Sequence, residues 1–391
     1  MSAPSNSNAI APAGTSRFSR EAILFACIAL LVVFFAFTAF LSRMYHHKTH
    51  ALADEWFAMG EQSFQSHDVA AALTDYRNAL VYSPDNPKFQ FHLAQALAAK
   101  GRGDEARSYL LNLLSESPGS GEINLELARI AGRQGAMPEA LRYYHGAIYG
   151  VWDSDPIAAR WRIRRELCEF LLDRGAPNQA VAEIIQLADN TPPEDVEREK
   201  IAANLLLRAQ LWVRALGEFQ SILGTDGRDA EALKGAGTAA FQLNQYSRAL
   251  EYLSRLPHDQ AEDPRIREMT EICRQFLESD PYHPGLPADV RAERASSALA
   301  AAEARVQGCA AKLNLSLTDS SAKSDLQLAY ATSQKMKMEW SVRNLRRFPD
   351  RVDDAMSLVF KMENLAAQKC GTPQGKDYAL WLLGRSRGAI P

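Results

Sequence analysis

Residues 53–86 read ADEWFAMGEQSFQSHDVAAALTDYRNALVYSPDN, and their spacing decides the fold. A small residue, Gly60, is followed twelve positions later by another, Ala72; Tyr76, Ala79 and Pro84 complete the pattern. It returns 34 residues later as Ala94, Ala106, Leu110, Leu113 and Pro118, and again as Ala128, Ala140, Tyr144 and Ala147. Leu167, Cys168, Leu171, Ala180, Ile184, Leu187 and Pro192 make a fourth copy. Ala203, Leu206, Ala215, Phe219 and Ile222 make a fifth, and Gly237, Ala240, Ala249, Leu253 and Leu256 a sixth. The copies occupy 53–86, 87–120, 121–154, 161–194, 196–229 and 230–263. A fixed period of this length marks stacked units that share one extended core, so the 391 residues measure the length of an array.

The pattern has a physical reading. Small residues at this spacing let packed helices approach closely, a bulky residue fills the gap beside them, and proline ends a helix. Gly101, Gly135 and Gly175 supply turns between helices. Asp155-Pro156 reads as a helix start, which makes the first helix of the fourth copy about a turn and a half longer than the others. Trp56, Met59, Gly60, Ala72, Tyr76, Ala79 and Pro84 stand where the tetratricopeptide repeat has its signature residues, so the chain resembles that family. It departs at Ser63, where the family usually has tyrosine. The resemblance implies an all-α, right-handed superhelical solenoid with a concave groove that holds a protein or peptide.

Residues 1–20 are Ser, Ala, Asn and Pro with little to bury, the composition of a disordered tail. Ala22 to Leu41 then runs for 20 residues without a charge, enough helix to cross about 30 Å of hydrocarbon. We read 21–42 as a single transmembrane helix. Arg17 and Arg20 precede it; Arg43, Tyr45 and Lys48 follow and suit a headgroup zone. A cleaved signal peptide is the rival, but its apolar region is shorter and ends in a small-x-small site, whereas this one ends Leu-Ser-Arg-Met-Tyr. Flanking charge is nearly balanced, so orientation rests on the usual outcome for a signal anchor: N-terminus in the cytoplasm, C-terminal part periplasmic or otherwise exported.

Residues 264–279 read as a helix capping the last repeat, and 288–391 as a C-terminal helical bundle. Within the bundle, Val290 to Leu313, Leu326 to Phe348 and Val352 to Lys369 are three expected helices, with a short one at Tyr378 to Leu383. Asp280 to Pro287 separates cap from bundle with three prolines in eight residues. Cys309 and Cys370 each lie near a helix end: outside the cytoplasm they can pair, and otherwise they are two buried thiols. Cys27, Cys168 and Cys273 read as packing.

No phosphate loop, GxSxG, HExxH or CxxC motif is present, and we expect no enzyme, no cofactor and no metal site. His46, His47 and His50 have ligand-like spacing, but a wet stretch beside a membrane explains them better. With 44 basic and 47 acidic residues the net charge is −3, which gives nucleic acid no basic field, and no small-molecule substrate is indicated. The family's groove positions fall on Phe57, Phe64 and Phe91, then Arg129, Arg133, Arg162 and Arg165, then Lys200, Asn204, Arg208, Lys234 and Phe241. An apolar first section suits an aliphatic or aromatic anchor, and the arginines suit carboxylates. Interleaved Glu122, Glu169, Glu197 and Glu231 fit an ordinary solvated face equally well. Lys200 and Asn204 also match the start of the family's carboxylate clamp, but Gly235 and Met269 stand where its next residues belong, so the clamp is incomplete. The function expected is a membrane-anchored scaffold for assembling envelope complexes. The alternative is an accessory subunit of a membrane enzyme or export complex, docking through the C-terminal bundle.

Overall fold

The computed structural model describes residues 17–317 and 324–390. The expected N-terminal tail lies outside them up to residue 16, and residues 17–20 already belong to the first helix. Among the described residues every regular element is a helix, and the one extended contact is an isolated bridge between Ser120 and Val151. The chain is an all-α array of paired helices in two compact units that divide between Ile163 and Arg164.

The first unit holds α1 (Arg17–Gln65), α2 (Val69–Tyr82), α3 (Pro87–Ala99), α4 (Gly103–Glu116), α5 (Gly121–Arg133) and α6 (Met137–Ile148), and the start of α7 (Pro156–Asp173). Helix α1 pairs with α2, α3 with α4 and α5 with α6, while α2 packs on α3 and α4 on α5. Side-chain caps fix several starts: Asp68 accepts from Ala71 N at 3.0 Å, Asn86 from Lys88 N at 3.0 Å and Ser120 from Ile123 N at 3.3 Å. Small residues do the expected work between helices. A Cβ on Gly60 would stand 2.6 Å from the ring of Tyr76, which is fully buried against it. The apolar stretch does not end in a linker, because α1 runs on unbroken for 49 residues into the first pair.

After α6 the chain folds back before α7 begins. Val151 N donates to Gly119 O at 2.8 Å, and Gly121 N donates to Val151 O at 3.0 Å. Trp152 then lies across Gly121, its Nε1 donating to Ala147 O at 2.9 Å. Helix α7 has 18 residues where α3, α5, α9 (Val196–Arg208) and α11 (Ala230–Gln242) have 13.

In the second unit, the end of α7 is joined to α8 (Pro177–Asp189) by the ion pair of Arg164 and Glu183 at 3.1 Å. Then come α9, α10 (Trp212–Thr225), α11, α12 (Tyr246–Leu253), α13 (His258–Ala261) and α14 (Pro264–Ser279). Ile266 of α14 closes an apolar cluster with Leu233, Leu253 and Leu256. The remaining helices are α15 (Ala288–Lys312), α16 (Asp325–Met336), α17 (Val342–Arg347), α18 (Arg351–Cys370) and α19 (Gly375–Ser386), with α18 packed along α15 and α19 against α14. The single helix expected over Leu326 to Phe348 is two. The indole of Trp340 turns inward at 5 % exposure, Ser341 starts α17, and Asn344 Nδ2 donates to Met338 O at 2.9 Å to hold the break.

Each hairpin turn carries one residue of positive φ: His67, Gly101, Gly135, Gly175, Gln210 and Asn244. Left-handed backbone costs a residue with a Cβ about 1–2 kcal/mol. Gln210→Gly is therefore expected to raise stability slightly, by roughly 0.5 kcal/mol once the flexibility of unfolded glycine is set against the relief. Denaturant midpoints of the two proteins check this, and a fall in the midpoint contradicts it.

Candidate partner-binding face

Helices α3, α5 and α7 line a hollow of about 400 Å³ within the first unit. Its walls are Phe91, His92 and Gln95 of α3, Glu122, Leu125, Glu126 and Arg129 of α5, then Trp152 and Arg162. The helical period sets this grouping, since residues three or four apart share a face. Glu126 is held by its neighbours: its Oε1 accepts from Gln95 Nε2 at 3.2 Å and from Arg129 Nη1 at 2.8 Å. The exposed Arg162 guanidinium stands 6.0 Å from the Trp152 ring centre and has no ion-pair partner among the described residues. The hollow thus joins an apolar wall, an anchored carboxylate and a cation open to a ligand.

His92 connects the hollow to the core. Glu61 Oε1 lies 2.8 Å from His92 Nδ1 and 2.5 Å from the buried Tyr76 hydroxyl. Burial lowers the His92 pKa below its usual value, partly opposed by the Glu61 charge, so the ring is neutral near pH 7. The neutral ring donates from Nδ1 to Glu61, which leaves Nε2 as an acceptor. Burial first, then the bond to Glu61, pushes the Tyr76 hydroxyl upwards, and it stays protonated.

Of the residues expected to form the groove, the structure brings Phe91, Arg129 and Arg162 together here. Phe57 is not an open anchor: it is 8 % exposed, stacks on Phe89 with centroids 4.8 Å apart, meets His92 edge-on at 5.0 Å and lies under Lys88. It is spent on joining α1 to α3. Phe64 is half-buried and does not line the hollow, and Arg133 is exposed outside it. Gln95 falls at one of the groove positions of the repeat, whereas sequence reasoning missed His92, Leu125, Glu126 and Trp152. Trp152 carries the one available signal, an aromatic where the first two copies have Pro84 and Pro118.

The later cations are answered by the chain itself. Arg165 pairs with Glu169 at 2.9 Å and Arg208 with Asp173 at 2.6 Å. Lys200 pairs with Asp229 at 2.7 Å and Glu197 at 3.0 Å, and Lys234 pairs with Asp263 at 3.1 Å. Hydrogen bonds to Asp229 and Glu197 hold the Lys200 pKa above its usual value. Asn204 donates to Glu231 at 2.6 Å. The reason is periodic. Asp229 and Asp263 cap α11 and α14, so each lysine meets a carboxylate already fixed one repeat further on. Arg165, Lys200, Asn204, Arg208 and Lys234, expected along the groove, are thus each partnered within the chain and do not line this hollow. Phe241 is half-buried, edge-on to Tyr246 with centroids 5.6 Å apart.

Elsewhere, Cys309 and Cys370 are joined as a disulfide between α15 and the end of α18. His46 and His50 have ring centroids 6.4 Å apart, and no group of three metal-binding side chains occurs among the described residues. Helix α1 is long and apolar enough to cross a membrane.

Two segments, 57–121 and 206–271, match family models of the tetratricopeptide repeat. The matched segments are stacked helical hairpins, so the chain carries tetratricopeptide repeats there, the repeat of protein-interaction scaffolds that generally catalyse no reaction. Among solved structures it is similar to PilF of Pseudomonas aeruginosa, at 17 % identity and a TM-score of 0.40 over 56 % of this chain and 97 % of that one. It is similar to PilW, a type IV pilus biogenesis factor, at 18 % identity and 0.39 over 55 % and 96 %. MamA gives 14 % identity and 0.36 over 46 % and 94 %. No curated protein matches it significantly in sequence.

Proposed function

We propose that this protein is a scaffold anchored in a membrane by α1, and that its first unit grips an extended segment of a partner during assembly of a cell-envelope complex. The observation that carries the reading is the hollow between α3, α5 and α7, where Arg162 is left open above Trp152 beside Phe91 and Leu125. Such a surface suits an apolar or aromatic side chain with a carboxylate close by, which arginine can hold with two parallel bonds. An anchor adds effective concentration for partners confined to the same membrane. The exported orientation is supported by the Cys309–Cys370 disulfide, since disulfides persist outside the reducing cytoplasm.

The test is capture of partners by the full chain in lipid nanodiscs, with Arg162→Glu and the double variant Arg162→Glu/Arg129→Glu. Reversal at Arg162 is expected to weaken capture about tenfold, the size of one lost charge-assisted contact. An unchanged set of partners at unchanged affinity contradicts this site. Protease protection of residues 44–391 in intact and opened cells checks the orientation separately.

A further inference from the structure

A second hollow lies in the C-terminal bundle, and a disulfide forms part of its wall. It measures about 460 Å³, within the range of small-molecule sites, and is lined by Arg305, Gly308, Cys309, Lys312, Cys370, Thr372, Gln374 and Asp377. The two sulfurs are not equivalent. Cys309 is 3 % exposed, whereas Cys370 is only half-buried. The glycines beside them leave the approach open, because a Cβ on Gly308 or on Gly371 would meet nothing within 4 Å. The wall carries two cations and one carboxylate. Arg305 stands one helical turn before Cys309, donates from Nη2 to Gly371 O at 3.0 Å and faces Glu363 at 3.0 Å and Asp377 at 4.0 Å, while Lys312 is exposed three residues after Cys309.

We propose that the Cys309–Cys370 bond is a thiol-exchange site, opened by an anionic thiolate that enters this hollow and attacks Cys370 Sγ. A bond forms between the incoming sulfur and Cys370 Sγ while the Sγ–Sγ bond breaks. The bonding pair leaves on Cys309 as a thiolate. A second thiolate of the same class then attacks the mixed disulfide and releases the oxidised thiol and the Cys370 thiolate. Two external thiols are oxidised and one disulfide is reduced, so atoms and electrons balance. Burial of Cys309 fixes the direction of attack. The exposed Lys312 favours both the arriving anion and the departing thiolate, while Arg305 offsets the Asp377 carboxylate on the same wall. This differs from a disulfide that merely staples α15 to α18, which becomes reducible only when the bundle unfolds.

The experiment treats the full chain in nanodiscs with reduced glutathione, quenches with acid and maps unreduced peptides by mass spectrometry. Glutathione is expected on Cys370, with a free thiol at Cys309, in the absence of denaturant. Gly308→Val, which narrows the approach, and the surface change Lys312→Glu are each expected to slow the adduct about tenfold. Replacing glutathione by cysteamine, whose ammonium group is repelled, is expected to slow the wild type and to lose the Lys312→Glu effect. Parallel reactions with a thioredoxin-type dithiol protein distinguish a small thiol from a protein as the source, by which reacts faster at equal thiolate concentration. Adducts on Cys309, reduction that tracks global unfolding in denaturant, or rates unchanged by both variants overturn the proposal.

Discussion

The C-terminal bundle is expected to lose stability as pH rises from about 4.5 to about 8, and Glu363→Gln is expected to abolish that slope. Glu363 is fully buried on α18. Arg305 Nε approaches its Oε2 at 3.0 Å, but neither carboxylate oxygen has an aligned hydrogen bond among the described residues. Burial therefore prevails over the attraction of Arg305, and with the Asp377 charge it pushes the Glu363 pKa from 4.5 up to about 8. The native state keeps a proton that the unfolded chain releases above its own pKa. Stability is then highest below 4.5, falls through the window and levels off above 8, for a total on the order of a few kcal/mol. Glutamine keeps the shape without the charge, so the variant is flat across the window and more stable than wild type on its alkaline side. Arg305→Met acts in the opposite sense, costing roughly 3–5 kcal/mol where the carboxylate is charged and much less where it is protonated. Hydrogen exchange of α15 and α18 amides over a pH series, corrected for intrinsic rates, reads these changes locally. A wild-type profile without slope, or a slope that survives in Glu363→Gln, contradicts the assignment.

Gly235→Ala is expected to destabilise the second unit by about 3 kcal/mol, although alanine is the better helix former by about 1 kcal/mol. Gly235 sits on α11 beneath the Phe219 ring of α10, and a Cβ there would come within 2.2 Å of the ring. Both residues are buried, so neither helix can yield without disturbing the next pair. Phe219→Ala, by contrast, leaves a cavity and costs about 3–5 kcal/mol. The two changes are opposite in kind, and the double variant Gly235→Ala/Phe219→Leu is expected to recover most of the loss. A double-mutant cycle of denaturant midpoints measures the coupling. Additive losses mean that ring and glycine are not one packing unit.

Periodic features of the array were legible because each recurs in sequence as it does in space. Gly60, Ala72 and Tyr76 announce close helix packing through their size alone, and the positive φ at Gly101, Gly135 and Gly175 follows from glycine at a fixed offset. His67, Gln210 and Asn244 adopt the same left-handed turn without the residue that would reveal it. Charge was harder to read. Whether Lys200 faces a ligand depends on Asp229, 29 positions away and fixed by its own helix cap. Only the stacking of one repeat on the next brings them together. Phe57 and Phe91 look alike in sequence, yet one is buried under Lys88 and the other faces the hollow. Trp152 stands where the first two copies have Pro84 and Pro118, a position that a repeat-based reading assigns to ending a helix and not to a groove.

Helix α1 passes from its apolar stretch into the first helical pair with no hinge. Each residue turns an α-helix by about 100°, so one residue inserted between Leu41 and Ala53 swings the hollow a quarter-turn or more about the helix axis. Seven inserted residues return it nearly to its starting azimuth, about 10 Å further along. The length of helix from Leu41 to Ala53 thus sets the heading of the hollow and its distance from the apolar stretch together, so that neither can be altered separately.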